Sequence, residues 1–275
     1  MKVSLILATL GRYEEVKIFL DSLLNQTYKD FEVVIVDQNE DGSLDKLVQE
    51  YRKNLDINHI KSNIRGISIN RNKGLIFAKG HIVAFPDDDC EYEKNTIERA
   101  VNYLYDKPNS IYSCKTLQKG ENYGTGIMSD KDEEIIIANV HKTIKSITFF
   151  VNFGNDDIPL FDSLLGVGAK FGSGEETDYV LNLLHKGYTG HYFSKHIVYH
   201  PAKKGNYDDL DRAYKYALGF GALCKKEIVK RKEYGYYLIF LNKVFRSIMG
   251  IIVTKNRKYH YTVLKGRLRG FIDYD

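Results

Sequence analysis

Residues 20–37, LDSLLNQTYKDFEVVIVD, decide how the chain begins to fold. Leu20, Leu23 and Leu24 close an apolar stripe that starts at Val16 and Phe19, with the 3.6-residue period of one helix face. Asn25-Gln26-Thr27 ends that helix, and FEVVIVD at 31–37 reads as a buried strand that finishes on an acid. Upstream, KVSLILAT at 2–9 is another β-rich apolar run, closed by a Thr-Leu-Gly-Arg turn. Strand, helix, strand is a βαβ unit, and its two strands should lie parallel with both faces covered.

Downstream the alternation continues. A helix is expected over 44–53, a short strand at INHIKS (57–62), and a basic helix from Ile69 to Ala78 closed by Lys79-Gly80. HIVAFPDDD at 81–89 is then a third apolar strand running into three aspartates. In open parallel sheets, ligands sit outside the carboxyl ends of the strands. Thr9, Asp37 and Asp87 to Asp89 all fall at such ends and should converge on one cleft. Residues 120–160 read as loop, with 121–134 as a flap. GSGEETDYVLNLLHKG at 172–187 has a Ser cap, acids in its first turn, apolar periodicity and a terminal Gly, so a helix is expected there.

With 275 residues, 43% hydrophobic and 28% charged, the chain is excluded from the disordered, collagen-like and coiled-coil classes. Cys90, Cys114 and Cys224 are odd in number and far apart, which excludes a disulfide framework or a zinc knuckle and favours a reducing cytoplasm. MKVSLILATL at 1–10 is too short an apolar stretch for a secretory signal. The net charge of +4 is uneven: residues 1–202 carry 23 Lys and Arg against 29 acids, and residues 203–275 carry 17 against 7. An acidic body suits a divalent cation and a basic tail suits an anionic membrane surface. A main domain over 1–202 and a basic helical extension over 203–275 are therefore expected.

Three adjacent carboxylates after a buried strand repel one another unless solvent or a cation compensates. Mg²⁺ and Mn²⁺ are held by one or two carboxylates together with substrate phosphates, which fits the short turn Asp87-Asp88-Asp89. An acid in the first turn of the helix near 175 sits at the positive end of a helix dipole, where the anion is favoured and can accept a proton.

In order and spacing, VSLILATLGR, LDSLLNQTYKDFEVVIVDQNEDGS, INRNKGLIFAKGHIVAFPDDDC and GSGEETDYVLNLLHKGY carry a resemblance over residues 1 to 200. The chain resembles the family 2 glycosyltransferases of the GT-A fold, a Rossmann-like, mostly parallel α/β sheet flanked by helices. The resemblance implies that Thr9 and Asp37 hold the base and ribose of a nucleotide sugar and that Arg71 lies near the nucleotide and diphosphate. It implies that Asp87 and Asp89 frame a DxD motif for Mn²⁺ or Mg²⁺, with Asp89 the direct ligand and Asp88 near the ribose or sugar. Glu175-Glu176 stands where the family has Glu-Asp, which places the catalytic base at Glu176 and leaves the choice between the two glutamates open. Gln38, where a second acid is common, and Asn182, where many members have Arg, depart from the pattern. Some members place a histidine after this helix to complete the metal shell or touch the diphosphate, and His200 matches it. His185, His191 and His196 have no partners at metal spacing and read as structural.

The tail stretch from Tyr236 to Val253 is apolar but holds Lys243 and Arg246 near its middle. Each central charge costs roughly 2.5–3.5 kcal/mol in a bilayer, so the expectation is a helix lying in an anionic interface and not a span. LKGRLRGF at 264–271 is similar to the closing segment of bacterial polysaccharide-assembling members of the family. The expected function is inverting, metal-dependent transfer of a sugar from a UDP-linked donor to a membrane-lipid-linked glycan, at the inner face of the cytoplasmic membrane, in capsule or O-antigen assembly. The rival expectations are a sugar nucleotidyltransferase, which would want more glycine than TLGR supplies, and a non-catalytic membrane-docking protein. No RNA- or DNA-binding motif accompanies the basic tail, so nucleic acid is not an expected partner.

Overall fold

In a computed structural model, the protein is described over residues 1–124, 126–202 and 207–275. The chain divides into two compact units: Met1–Phe161 with Tyr179–Lys203, and Asp162–Asp178 with Lys204–Asp275. Residues 203–206, where the sequence places its domain boundary, lie outside the described residues.

The first unit opens with β1 (Val3–Thr9), α1 (Glu14–Leu24) and β2 (Phe31–Asp37), followed by α2 (Ser43–Tyr51), β3 (Asp56–Lys61), α3 (Ile67–Leu75) and β4 (Ile82–Ala84). Strands β3, β2, β1 and β4 are parallel neighbours, as the βαβ pattern requires. All seven positions of β2 are buried, and Val16, Phe19, Leu20 and Leu23 of α1 pack in the core with Leu5, Leu7, Val33 and Ile35. Glu32 and the terminal Asp37 are the polar residues of β2. Glu32 is buried beneath Ser4 Oγ and the Lys79 amide, which donate to its Oε1 at 2.6 Å each.

Beyond β4 the sheet becomes mixed. After β5 (Glu91–Tyr92) and α4 (Thr96–Leu104) come β6 (Ser110–Leu117), β7 (Glu133–Glu134), α5 (Val140–Thr143) and β8 (Phe150–Asn152). The sheet order is β3-β2-β1-β4-β8-β6-β9-β5, where β9 (Thr189–Tyr199) is parallel to β6 and also pairs with β7. Strand β8 is antiparallel to both β4 and β6. The loop expected over 120–160 is therefore corrected: β8 lies in the middle of the sheet, and Phe150 and Val151 are fully buried. Its three residues are too short a run to show a period of two, so only the pairing reveals the strand. Within 121–134, where Thr125 is outside the described residues, Met128 is buried and receives the Thr116 amide and hydroxyl on its Sδ at 3.4 Å. The expected flap is thus anchored at that point.

Helix α6 (Glu175–His185) opens in the second unit and continues in the first. The rest of the second unit is α7 (Leu210–Val229), α8 (Gly235–Val253) and α9 (Arg257–Asp273). Asp162 and Asp178 belong with these helices because Lys226 of α7 reaches both, at 2.7 and 2.9 Å, and Arg231 reaches Asp178 at 2.9 Å.

Candidate functional site

The carboxyl ends of β1, β2 and β4 supply the acids and hydroxyls that the sequence singles out. After β4 the chain passes Phe85 and Pro86 and delivers Asp87, Asp88 and Asp89 beside His200, which directly follows β9. Ligand atoms of Asp87, Asp89 and His200 all lie within 4.8 Å of one another. His200 Nε2 is 3.0 Å from Asp89 Oδ1, and its backbone amide donates to Leu117 O at 2.9 Å, which fixes the loop after β9. Burial opposes a charge on His200, but Asp89 and Asp87 outweigh it and raise its pKa. Two carboxylates and an imidazole, partly open to solvent, form a donor set that could hold a divalent cation.

The three aspartates have different surroundings. Arg71 of α3 is fully buried, and its Nη2 donates to Asp87 Oδ1 at 2.8 Å and to Ser146 Oγ at 2.5 Å. Asp89 faces His200 and Arg12, whose Nη1 is 3.5 Å from Oδ2. Asp88 accepts a 2.7 Å hydrogen bond from Thr9 Oγ1. Burial pushes the Asp88 carboxyl up to about 6, opposed by the Thr9 hydrogen bond and reinforced by Asp87 and Asp89 on either side. Thr9 is thereby brought into the aspartate turn at its hydroxyl.

Asp37 forms the floor of a second, adjoining cluster. It is fully buried; Asn39 donates to Oδ1 from both its backbone amide and its Nδ2 at 2.8 Å, while His59 Nε2 and Lys61 Nζ approach Oδ2 at 3.0 and 2.8 Å. Burial would raise its pKa, but His59, Lys61 and the Asn39 amide hold it well below the ordinary carboxylate value. Asn39 Oδ1 in turn accepts from the Gly11 amide at 2.7 Å, which ties the loop after β2 to the loop after β1. Gln38, the departure from the family pattern, is a structural bridge: its Nε2 donates to Thr9 O and its Oε1 accepts from the Gly66 amide. Asp37, Asp45 and His59 could also group round a cation, but Lys61 Nζ already lies 2.8 Å from Asp37 and 2.6 Å from Asp45.

Sequence reasoning did not name Arg12, Asn39, His59, Lys61 or Ser146. Two of them carried a signal: the period of two along DINHIK puts His59 and Lys61 on one face of β3. Arg12 closes the TLGR turn, three residues beyond the end of β1. Ser146 lies more than fifty residues from the aspartates and had none. His196 is structural, as expected, with Nδ1 2.8 Å from Tyr112 Oη, and His191 packs against Phe193.

Glu175 and Glu176 occupy the first turn of α6, where the Asp178 amide donates to Gly174 O at 2.9 Å. Glu175 is buried at 7% exposure, whereas Glu176 is partly exposed.

The model of the family described as glycosyl transferase family 2 matches residues 4–155. The glucosyl-dolichyl phosphate glucuronosyltransferase of Haloferax volcanii is 33% identical over 114 residues, covering 40% of this chain and 36% of that protein. The chain spans 36%, 32% and 62% of three curated relatives that it matches, less than two thirds of each. Among solved structures, S. aureus TarS 1-349 in complex with UDP-GlcNAc has a TM-score of 0.60 at 18% identity, covering 100% of this chain and 74% of that one. The mannosyltransferase PcManGT from Pyrobaculum calidifontis, in complex with GDP-Man and Mn²⁺, has a TM-score of 0.66 at 14% identity, covering 99% and 88%. Both share this fold, a mixed α/β sheet flanked by helices with further helices at the C-terminal end. The family match runs from β1 through the aspartate turn to β8 and takes in more than half of the residues, so the chain belongs to glycosyl transferase family 2.

Proposed function

We propose that the chain transfers a sugar, with inversion, from a UDP-linked donor to a glycan carried on a membrane lipid, at the cytoplasmic face of the membrane and in the assembly of a bacterial surface polysaccharide such as capsule or O-antigen. The observation that carries this reading is the convergence of Asp87, Asp89 and His200 beyond the strand ends of a family 2 chain. The TarS neighbour complexed with UDP-GlcNAc, and the Haloferax relative named for a dolichyl phosphate substrate, support the donor and acceptor classes. Three free, buried cysteines suit a reducing compartment.

Asp37 and Asn39, with Thr9, form the nucleoside end of the donor site, and Arg71 and Arg12 stand by the aspartates to meet diphosphate charge. A Mn²⁺ or Mg²⁺ bound by Asp89, His200 and Asp87 would neutralise negative charge on the leaving diphosphate. Asp89 ranks above Asp87 as a ligand because the buried Arg71 holds Asp87 at 2.8 Å, whereas Arg12 stands farther from Asp89, at 3.5 Å. Asp88, held by Thr9, faces the ribose or the sugar. Glu176 takes the proton from the attacking acceptor hydroxyl; its partial exposure, against the burial of Glu175, favours it for a role at a substrate.

Calorimetry of UDP binding with and without Mn²⁺, together with donor hydrolysis, tests the reading. Asp89→Ala should abolish the Mn²⁺-dependent part of UDP affinity, and Asp87→Asn should reduce it less. Unchanged Mn²⁺-dependent affinity in Asp89→Ala would remove the metal assignment. A wild-type chain that hydrolyses no nucleotide sugar in any metal would favour a non-catalytic docking protein.

A further inference from the structure

The run Glu175-Glu176-Thr177-Asp178 places three acids in the first turn of α6. At about 100° per residue, Asp178 lies about 60° round the helix from Glu175 and about 160° from Glu176. Burial follows that division: Glu175 and Asp178 are 7% and 3% exposed, whereas Glu176 is partly exposed. The turn therefore has an acidic side sunk into protein and a single acid on the other side.

Helix α7 and the turn after it receive the sunken side. Lys226 Nζ lies 2.9 Å from Asp178 Oδ2, and Arg231 Nη2 lies 2.9 Å from Asp178 Oδ1 while donating to Asp178 O at 3.3 Å. Lys226 is shared with Asp162 at 2.7 Å, and Tyr274 Oη donates to the same Asp162 oxygen at 2.7 Å. Tyr274 is itself buried, in a cluster with Leu165, Phe171 and Ala222. Arg231 also pairs with the fully buried Glu227. Burial opposes the charge on Arg231, but Asp178 and Glu227 outweigh it and raise its pKa. A lone surface ion pair fixes little; charges that share partners away from solvent fix geometry.

A second fastening lies just ahead of the helix. Ser173 Oγ donates to Tyr216 O at 3.1 Å, a Cβ on Gly219 would lie 2.3 Å from Ser173 O, and one on Gly172 would lie 2.8 Å from Lys215 Cβ. Residues 172–174 thus run close along the backbone of α7, and Gly174 turns the chain into α6 at a φ of +92°, which favours glycine. A helix held to one neighbour at its lead-in and again at Asp178 cannot roll about its axis without breaking one of the two. Roll is the motion that would swing Glu176.

We infer that Lys226 and Arg231, with Tyr274 bracing Lys226 through Asp162, are positioning residues that fix the rotation of α6 and so the direction of the Glu176 carboxylate. Helices α7 to α9 lie beyond residues 4–155, which the family model matches, so the inference gives the C-terminal helices a part in the reaction. It rests on the reading of Glu176 as the base. The rival is a purely structural role, in which the pairs hold these helices together and leave the chemical step of the folded molecule alone.

The test is a double-mutant cycle on Asp178 and Glu176 in the full chain. It is read by single-turnover cleavage of UDP-linked hexoses and N-acetylhexosamines with Mn²⁺ and water as acceptor, and by calorimetry of UDP. Asp178→Asn keeps the shape of the side chain and leaves Lys226 to Asp162 and Arg231 to Glu227, so the chain should still fold. It should slow the chemical step roughly 10–100-fold, the scale of a displacement of about 1 Å, with UDP affinity within about twofold of wild type. In a Glu176→Gln background the same change should cost less than about twofold, because the carboxylate that it aims has gone. Tyr274→Phe, a milder entry into the same cycle, should slow the step by a smaller factor with the same dependence on Glu176. Equal slowing by Asp178→Asn in both backgrounds, or a lower melting temperature with an unchanged chemical step, would overturn the inference and leave the base assignment standing. Full-rate cleavage by Glu176→Gln alone, or a wild type that cleaves none of these donors, would overturn the base assignment and the inference with it.

Discussion

Asp37 shows how one side chain of the candidate site bears on stability. Its carboxylate is fully buried but accepts from Asn39 twice and meets His59 and Lys61, so folding favours the anion. With a folded pKa below the ordinary 3.8, the unfolded chain takes up the proton first as pH falls, and the stabilisation present above that value is lost in acid. Asp37→Asn should therefore cost roughly 1–3 kcal/mol near neutrality, where it leaves donors unmatched, and progressively less towards pH 3. Denaturant unfolding at the two pH values checks this; an equal cost at both would show that the charge itself contributes nothing. Glu176 is the base in the proposed mechanism. Glu176→Gln should leave donor affinity intact and lower single-turnover transfer by roughly 10²–10⁴-fold, the usual effect of losing a positioned base. Glu175→Gln, at a buried site, should act mainly on melting temperature. A collapse of transfer in Glu175→Gln with near-normal Glu176→Gln would move the role by one residue.

Among the elements, the helices divide by what lets them approach one another. Helix α1 packs a broad Val, Phe and Leu face on the sheet, the arrangement its periodicity predicts. Helices α7 and α9 meet backbone to backbone instead. A Cβ on Gly270 would lie 1.9 Å from Leu218 O and 3.0 Å from Ala222 N, and one on Gly221 would lie 2.1 Å from Arg267 O. Backbone cannot swing aside as a side chain can, so Gly270→Ala should force the two helices apart and destabilise by about 1–3 kcal/mol, the range for overpacking. Thermal melting measures this directly, and unchanged melting would mean that the pair tolerates wider spacing. Helix propensity alone argues the other way, since alanine is favoured over glycine by about 1 kcal/mol in a helix interior. A loss of stability thus isolates the packing.

At the scale of the whole molecule, two units form from a chain whose charge already separates into an acidic body and a basic tail. Apolar runs with clear periods fixed β1, α1, β2 and α6 in advance, because a strand buried on both faces or a helix with one buried face requires those residues wherever it is placed. The acids at strand ends were legible for the same reason: a parallel sheet puts the ends of its strands together, so Thr9, Asp37 and the aspartate turn could be grouped without coordinates. Tertiary structure alone decided the rest. Ser146 reaches Arg71 across seventy-five positions, β8 enters the centre of the sheet with three residues, and Lys226 draws 162–178 to the C-terminal helices by binding Asp162 and Asp178. Arg267 came to lie among cations only when α9 folded back on α8. Local sequence encodes which face of an element is buried. It does not encode which distant side chain supplies the partner for a buried charge, because that pairing exists only after the elements have packed.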